Sequence, residues 1–278
     1  MSEDSVVYEK SGSRATIWLN RPGARNSMTE GMSGGFRTAI IEASRDPEVR
    51  VIVYRGKGED FCAGSALDDL PLDDLDGVLT AFDPVSRNGY PAIFKGHRPI
   101  DNDQIPKMTV AVVHGYAVGG GFEIACDADF VIAAEDAKIG DLHVARGIVG
   151  GAGVLANVAR MVGMRRAKDL VFGGRLLSGA EAEEWGIANR AVPRDQLDAA
   201  VDRLVDHLAG ISPRLTRLAK IAYGRSLEAD KETLAALETM LLLNLLGDRD
   251  ADEGINSFLE HRDPVWAESR GEAGGAER

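Results

Sequence analysis

The chain has 278 residues, 44% of them hydrophobic and 27% charged, which is enough apolar material for one large domain or one domain with an appendage. Its formal net charge of −12 argues against nucleic acid and anionic membranes as partners, although a few local cations and helix N-termini suffice to hold an anionic ligand. Two cysteines, Cys62 and Cys126, make no disulfide framework, no apolar run approaches a bilayer span, and the acidic start lacks a targeting pattern, which together predict a reduced, cytoplasmic protein.

In chain order, residues 6–9 and 15–19 flank the Ser11-Gly12-Ser13 turn and predict a hairpin, followed by a loop at Asn20-Arg21-Pro22-Gly23. Ser27 and Glu30 have capping-box spacing, and Met32, Phe36, Ile40 and Ala43 recur at helical spacing, predicting a helix over 29–44. The β-branched run 49–54 predicts a strand buried on both faces. Residues 67–106, with the acidic run 68–76 and recurrent Pro and Gly, predict a short helix and a long loop. A buried strand at 108–113, a glycine turn, a helix from about 121 and a further strand at 130–133 come next. Helices follow at 152–162 and 165–172, and Ser178 with Glu181 forms a second capping box, opening a helix that stops at Gly186. Ala191-Val192-Pro193 closes this part. From Asp195 the chain reads as helical, and the large apolar residues of 230–262 suit packing either onto a neighbouring subunit or onto their own core. The pattern predicts a parallel-sheet α/β core at 1–194, a helical region at 195–270 and a disordered tail at 271–278.

Two segments carry chemistry: Phe61-Cys62-Ala63-Gly64-Ser65, and 115–123 with its Gly119-Gly120-Gly121 turn. Each follows a buried strand, consists of small residues and leads into a helix. Small residues admit a ligand close to the backbone, and a helix start offers N–H groups with no intrahelical partner. Two such turns side by side aim two N–H groups at one oxygen, the arrangement that stabilises an oxyanion. The dinucleotide fingerprint fails because position 117 is Ala, and the phosphate-loop and nucleophile-elbow patterns are absent. No His, Cys, Asp and Glu group has metal-site spacing.

Ile17-Trp18-Leu19-Asn20-Arg21-Pro22 with Asn26, the segments 61–65 and 115–123, and residues 252–262 together carry a resemblance. Over roughly residues 6–266 the chain resembles the crotonase superfamily, the enoyl-CoA hydratase/isomerase family. The resemblance implies a crotonase-like spiral of ββα units with a C-terminal helical region that organises homotrimers, often paired into hexamers. It implies an acyl-CoA substrate and no further cofactor. The oxyanion-hole donors would be Ser65 and Gly120. Coenzyme A would lie along Arg25, Ala63, Gly64, Ala66, Leu67 and Gly119, and Glu123 matches the first of two catalytic glutamates.

The second glutamate is missing. His143, in Gly140-Asp141-Leu142-His143, occupies its place, and Gly147-Ile148-Val149-Gly150-Gly151-Ala152-Gly153 keeps the family's glycine pattern. The leading expectation is a hydratase that uses Glu123 and His143 as an acid–base pair. Isomerisation by Glu123 alone, thioester or carbon–carbon hydrolysis, and a non-catalytic acyl-CoA-binding relative are the alternatives. Asp141 and Arg146 flank His143; either could orient it, and a solvated ion pair is the simpler expectation. His114, at a strand end, and His97, in the long loop, read as structural and surface residues. The stretch from Ser65 to Gly120 looks extended beside the family's usual length. With Phe82, Tyr90, Phe94 and His97 in it, it suggests an acyl group other than a short straight chain.

Overall fold

The hairpin forms as expected: β1 (Val6–Ser11) and β2 (Arg14–Leu19) pair antiparallel, in register from Val6 opposite Leu19 to Ser11 opposite Arg14. The computed structural model describes residues 4–69, 102, 105–151, 154–245 and 247–267. The predicted long loop, with Phe82, Tyr90, Phe94 and His97, and the predicted tail lie outside these residues.

The first helix corrects one expectation. Helix α1 spans Glu30–Arg45, and its N-cap is Thr29, whose side chain accepts the Met32 N–H. Ser27 is not the cap, because Met28 is already engaged in strand-like pairing. The Met28 N–H donates to the Gly64 carbonyl, and the Met28 carbonyl accepts the Ala66 N–H, both at 2.8 Å. The helix can start only after that pairing ends. Its apolar stripe, Met32, Phe36, Ala39, Ile40 and Ala43, is buried, and Phe36 meets Tyr54 edge-on at 5.0 Å between ring centroids.

Strands β3 (Val51–Gly56), β4 (Met108–Val113) and β6 (Phe130–Ala134) are buried along nearly their whole lengths, as their continuous apolar runs require. With β8 (Arg190–Val192) they complete a six-stranded sheet of order β1-β2-β3-β4-β6-β8, parallel from β2 onward. Two short strands, β5 (Tyr116–Val118) and β7 (Lys138–Gly140), pair in a second layer. Isolated bridges extend that layer on both sides, Met28 to Ser65, Cys62 to Ala117 and Ile139 to Leu177. Two successive units share one plan: β4, β5 and the helix Gly120–Asp127, then β6, β7 and the helix Val154–Val162, each give one strand to the large sheet, one short strand to the second layer, and then a helix. This is the spiral of ββα units.

Among the described residues the further α-helices are α2 (Gly120–Asp127), α3 (Val154–Val162), α4 (Met164–Gly173), α5 (Gly179–Trp185), α6 (Leu197–Ala209), α7 (Pro213–Arg225), α8 (Lys231–Leu245) and α9 (Arg249–Leu259). The predicted capping box of α5 forms in both directions, Ser178 to the Glu181 N–H and Glu181 to the Ser178 N–H, and Gly186 closes the helix with φ +81°. Helix α7 is keyed to the core by the buried Lys220 ammonium, which donates to Asp129 at 2.7 Å and to the Lys107 carbonyl at 2.8 Å. Helix α8 has no buried residue, and Met240, Leu242 and Leu243 on it and Ile255, Phe258 and Leu259 on α9 are exposed. No helix among the described residues is long and apolar enough to cross a membrane.

Candidate active site

The second layer brings the two small-residue turns together. Strand β5 runs beside residues 62–64: the Cys62 N–H donates to the Tyr116 carbonyl at 2.9 Å, and the Val118 N–H donates to the Cys62 carbonyl at 3.1 Å. Gly64 sits at φ +93°, and a methyl group there would lie 2.9 Å from the Val118 oxygen and 3.2 Å from the Gly120 nitrogen. Only glycine allows both the backbone angle and the contact. A methyl group at Gly120 would be 3.5 Å from Ser65 Oγ and 3.6 Å from Ser65 N, so the two predicted donor residues are neighbours. Among the described residues no acceptor engages the Ser65 or Gly120 N–H, and no side chain caps the helix start. Gly120 is the first residue of α2, so the helix dipole adds to its pull on negative charge.

The same helix carries Glu123 in its first turn, its N–H bonded to the Gly119 carbonyl at 3.0 Å. Glu123 Oε1 accepts the Gly151 N–H at 3.0 Å. From the other side, β7 pairs with β5, and the Gly119 N–H reaches the Gly140 carbonyl at 3.3 Å. The chain leaving Gly140 therefore turns directly over the site and presents His143. A methyl group at Gly119 would be 3.7 Å from His143 Nε2, and one at Gly150 would be 3.0 Å from His143 Nδ1 and 3.2 Å from Glu123 Oε1. Imidazole and carboxylate thus converge on Gly150, and the Nε2 side of the ring lies beside Gly119, the residue before the Gly120 donor.

Behind His143 lies Asp141, fully buried. Its Oδ1 accepts both the His143 N–H at 2.9 Å and the ring Nδ1 at 2.6 Å. The expected solvated pair with Arg146 is thereby overturned: Asp141 faces inward to the ring, and Arg146 is exposed. Burial opposes the charged imidazole, but the Asp141 hydrogen bond and the charges of Glu123 and Asp141 outweigh it and hold His143 above the ordinary histidine range. Burial likewise pushes Asp141 up, and the two hydrogen bonds from His143 more than reverse that.

Among the remaining sequence candidates, Ala63 is tied to Arg25 by its N–H on the Arg25 carbonyl at 2.9 Å. Arg25 is largely exposed, with its guanidinium 5.0 Å from the centre of the Tyr116 ring. Ala66 is buried and Leu67 exposed beside the turn. His114 is structural as expected: it bonds the Gly58 carbonyl at 3.0 Å, and burial lowers its affinity for a proton. Cys62 and Cys126 are free and buried, and burial pushes the Cys62 thiol up to about 12.

Sequence reasoning missed three supports. Asn26, named only as part of a motif, is fully buried and binds the Arg21 N–H and the Lys57 and Asp60 carbonyls, shaping the loop before the first turn. Asp60 accepts the Tyr116 N–H at 2.9 Å. Gly151 holds Glu123, and the only signal for it was the glycine pattern itself.

The chain and its fold match those of known proteins. The family model described as enoyl-CoA hydratase/isomerase matches residues 9–269. A protein of Aspergillus fumigatus named mevalonyl-coenzyme A hydratase is 31% identical over 256 residues, 91% of each chain. The human protein named enoyl-CoA hydratase domain-containing protein 2, mitochondrial, is 33% identical over 90% of this chain and 84% of its own. A solved enoyl-CoA hydratase subunit of Geobacillus kaustophilus superposes with a TM-score of 0.84 at 29% identity, covering 95% of this chain and 98% of that one. The Mycobacterium tuberculosis enoyl-CoA hydratase does so with a TM-score of 0.81 at 27% identity, covering 96% and 100%. On the whole-chain match, the shared fold and the relatives above, this chain belongs to the enoyl-CoA hydratase/isomerase family.

Proposed function

We propose that the chain adds water to an α,β-unsaturated acyl-CoA, with the Ser65 and Gly120 N–H groups holding the thioester oxygen. The observation that carries this reading is the convergence of Glu123 and the His143 ring on Gly150, with the ring's Nε2 side against Gly119, next in the chain to the Gly120 donor. In the hydration direction the Glu123 carboxylate takes a proton from water as the oxygen bonds to Cβ. The displaced π electrons move onto the thioester oxygen, whose charge the two N–H groups meet. His143 Nε2–H then protonates Cα, and the carbonyl re-forms. Transfer of the proton from Glu123 back to His143 restores the starting state, so atoms and charge balance. Coenzyme A is placed along Arg25, Ala63, Gly64, Ala66, Leu67 and Gly119, and no cofactor beyond it takes part.

Turnover of a panel of enoyl-CoAs in H₂¹⁸O and deuterated buffer tests the reaction. The expected result is one ¹⁸O and one deuterium in the hydroxyacyl product. Deuterium exchange with double-bond migration and no ¹⁸O would mean an isomerase, and release of free CoA would mean a hydrolase. The same panel tests the acyl group: branched, long or ring-bearing substrates are expected to outperform crotonyl-CoA, and a clear crotonyl preference would refute that part.

The assembly belongs to this reading as well. The exposed apolar residues of α8 and α9 suit burial between subunits, and a homotrimer or a pair of trimers is expected. Light scattering should return about three or six times the 29.7 kDa chain mass, and a monomer would refute it. Cytoplasmic residence is part of the proposal too, although relatives such as the human one carry the word mitochondrial in their names.

A further inference from the structure

We infer that Asp141 is a positioning residue for His143: it fixes the ring so that Nδ1–H points inward and Nε2 faces the acyl site, and it supplies from behind the ring the negative charge that a second carboxylate would otherwise bring to the front. The inference rests on the proposed acid role of His143.

Three observations carry it. Asp141 is fully buried and its Oδ1 accepts two donors, both from His143, the backbone N–H at 2.9 Å and Nδ1 at 2.6 Å. Its Oδ2 meets no donor, so among the described residues the hydrogen bonds that compensate the Asp141 charge come from His143. With Nδ1 committed as a donor, the tautomer is set and Nε2, 3.7 Å from the β-position of Gly119, is the atom left for chemistry. The arrangement follows from the chain: β7 ends at Gly140, and a backbone turn over residues 141–143 lets an aspartate reach both the N–H and the ring two residues on.

Among the described residues, the charged groups that act on the ring are Asp141 and Glu123. Asp141 lies on its own segment and Glu123 faces it from α2, while the buried Cys126 thiol of α2, held neutral by burial and the neighbouring carboxylates, lies near Asp141. Arg146, one turn on, is exposed. Both carboxylates therefore favour the imidazolium, the form that can donate from Nε2.

Asp141→Asn keeps the size of the side chain and removes the charge. In the full-length protein kcat is expected to fall by at least about tenfold, part of the 10²–10⁴ that a general acid contributes, with KM within a few-fold of the parent. The direction of the pH effect follows from the role. An acid whose proton is held more tightly stays active to higher pH, and activity is lost as pH rises through its pKa. Removing Asp141 weakens that hold, so the alkaline loss of kcat should move to lower pH. In the His143→Gln background, Asp141→Asn should cost little more, because its effect runs through the ring. Superimposable pH profiles, or a loss as large without His143 as with it, would overturn the inference.

A second measurement needs neither the variant nor turnover. NMR titration of the unliganded parent protein, with His143 assigned from His143→Gln, should show its imidazole titrating above the ordinary value of about 6.5. A value at or below that would overturn the role of Asp141. If instead the titration is raised but the enoyl-CoA panel shows no hydration, the proposed reaction fails and the positioning role stands.

Discussion

Glu123→Gln is expected to lower kcat for hydration by about 10²–10⁴ while a non-reactive CoA thioester still binds within a few-fold of the parent affinity. The substitution is nearly isosteric, and the amide oxygen can go on accepting the Gly151 N–H that Glu123 Oε1 accepts at 3.0 Å. What disappears is the capacity to take a proton from water at the point where Glu123 faces His143 across Gly150. A carboxylate in the first turn of α2 also gains about 0.3–1 kcal/mol from the helix dipole, so a small drop in stability accompanies the loss of rate. Steady-state kinetics together with calorimetric titration separate the two effects. A variant that turns over within tenfold of the parent would remove Glu123 from the chemistry.

Gly64→Ala is expected to cost about 10²–10³ in kcat, the loss typical when one oxyanion donor is displaced. Two constraints act on this residue at once. Its φ of +93° is a backbone conformation in which a side chain is strained by about 1–3 kcal/mol. A methyl group would also press to 2.9 Å from the Val118 oxygen and 3.2 Å from the Gly120 nitrogen. Those neighbours are backbone atoms of the other turn, so relief means moving the donors of Ser65 and Gly120 apart. Because the donors act on charge that develops during reaction, kcat should suffer more than KM. Gly31→Ala is the control: that glycine is exposed on α1 with nothing within 4 Å of the added methyl, and the change should leave the rate alone and stabilise by about 0.4–1 kcal/mol. Thermal melts of both variants distinguish a displaced donor from an unfolded protein. A folded Gly64→Ala with parental kcat would refute the two-donor cradle.

The fold was largely legible because its signals are local. Continuous β-branched runs mark strands buried on both faces, the period of Met32, Phe36 and Ile40 marks one face of a helix, and Ser178 with Glu181 closes its capping box within a single turn of chain. The error at Ser27 has the opposite cause. Its spacing to Glu30 is right, but a distant segment, Gly64 to Ala66, claims Met28 for pairing and moves the cap to Thr29, so that the helix starts at Glu30. The short strands β5 and β7 escaped for a related reason. Three residues carry too little pattern to announce a strand, and each exists only through its partner.

The site divides along the same line. The sequence by itself determined which residues are available: two small-residue turns behind buried strands, a glutamate two residues after the second turn, and a histidine where the resemblance leads one to expect a second glutamate. Only the tertiary structure decided what these residues do to one another. That Ser65 and Gly120 stand side by side depends on the parallel pairing of residue 62 with β5. That Asp141 turns inward to His143 rather than outward to Arg146 depends on the burial of the chain leaving β7. Pattern along a chain reports the energetics of neighbours in sequence. Hydrogen bonds and charges between segments 20 to 60 residues apart exist only once the sheet has brought those segments within about 3 Å of each other.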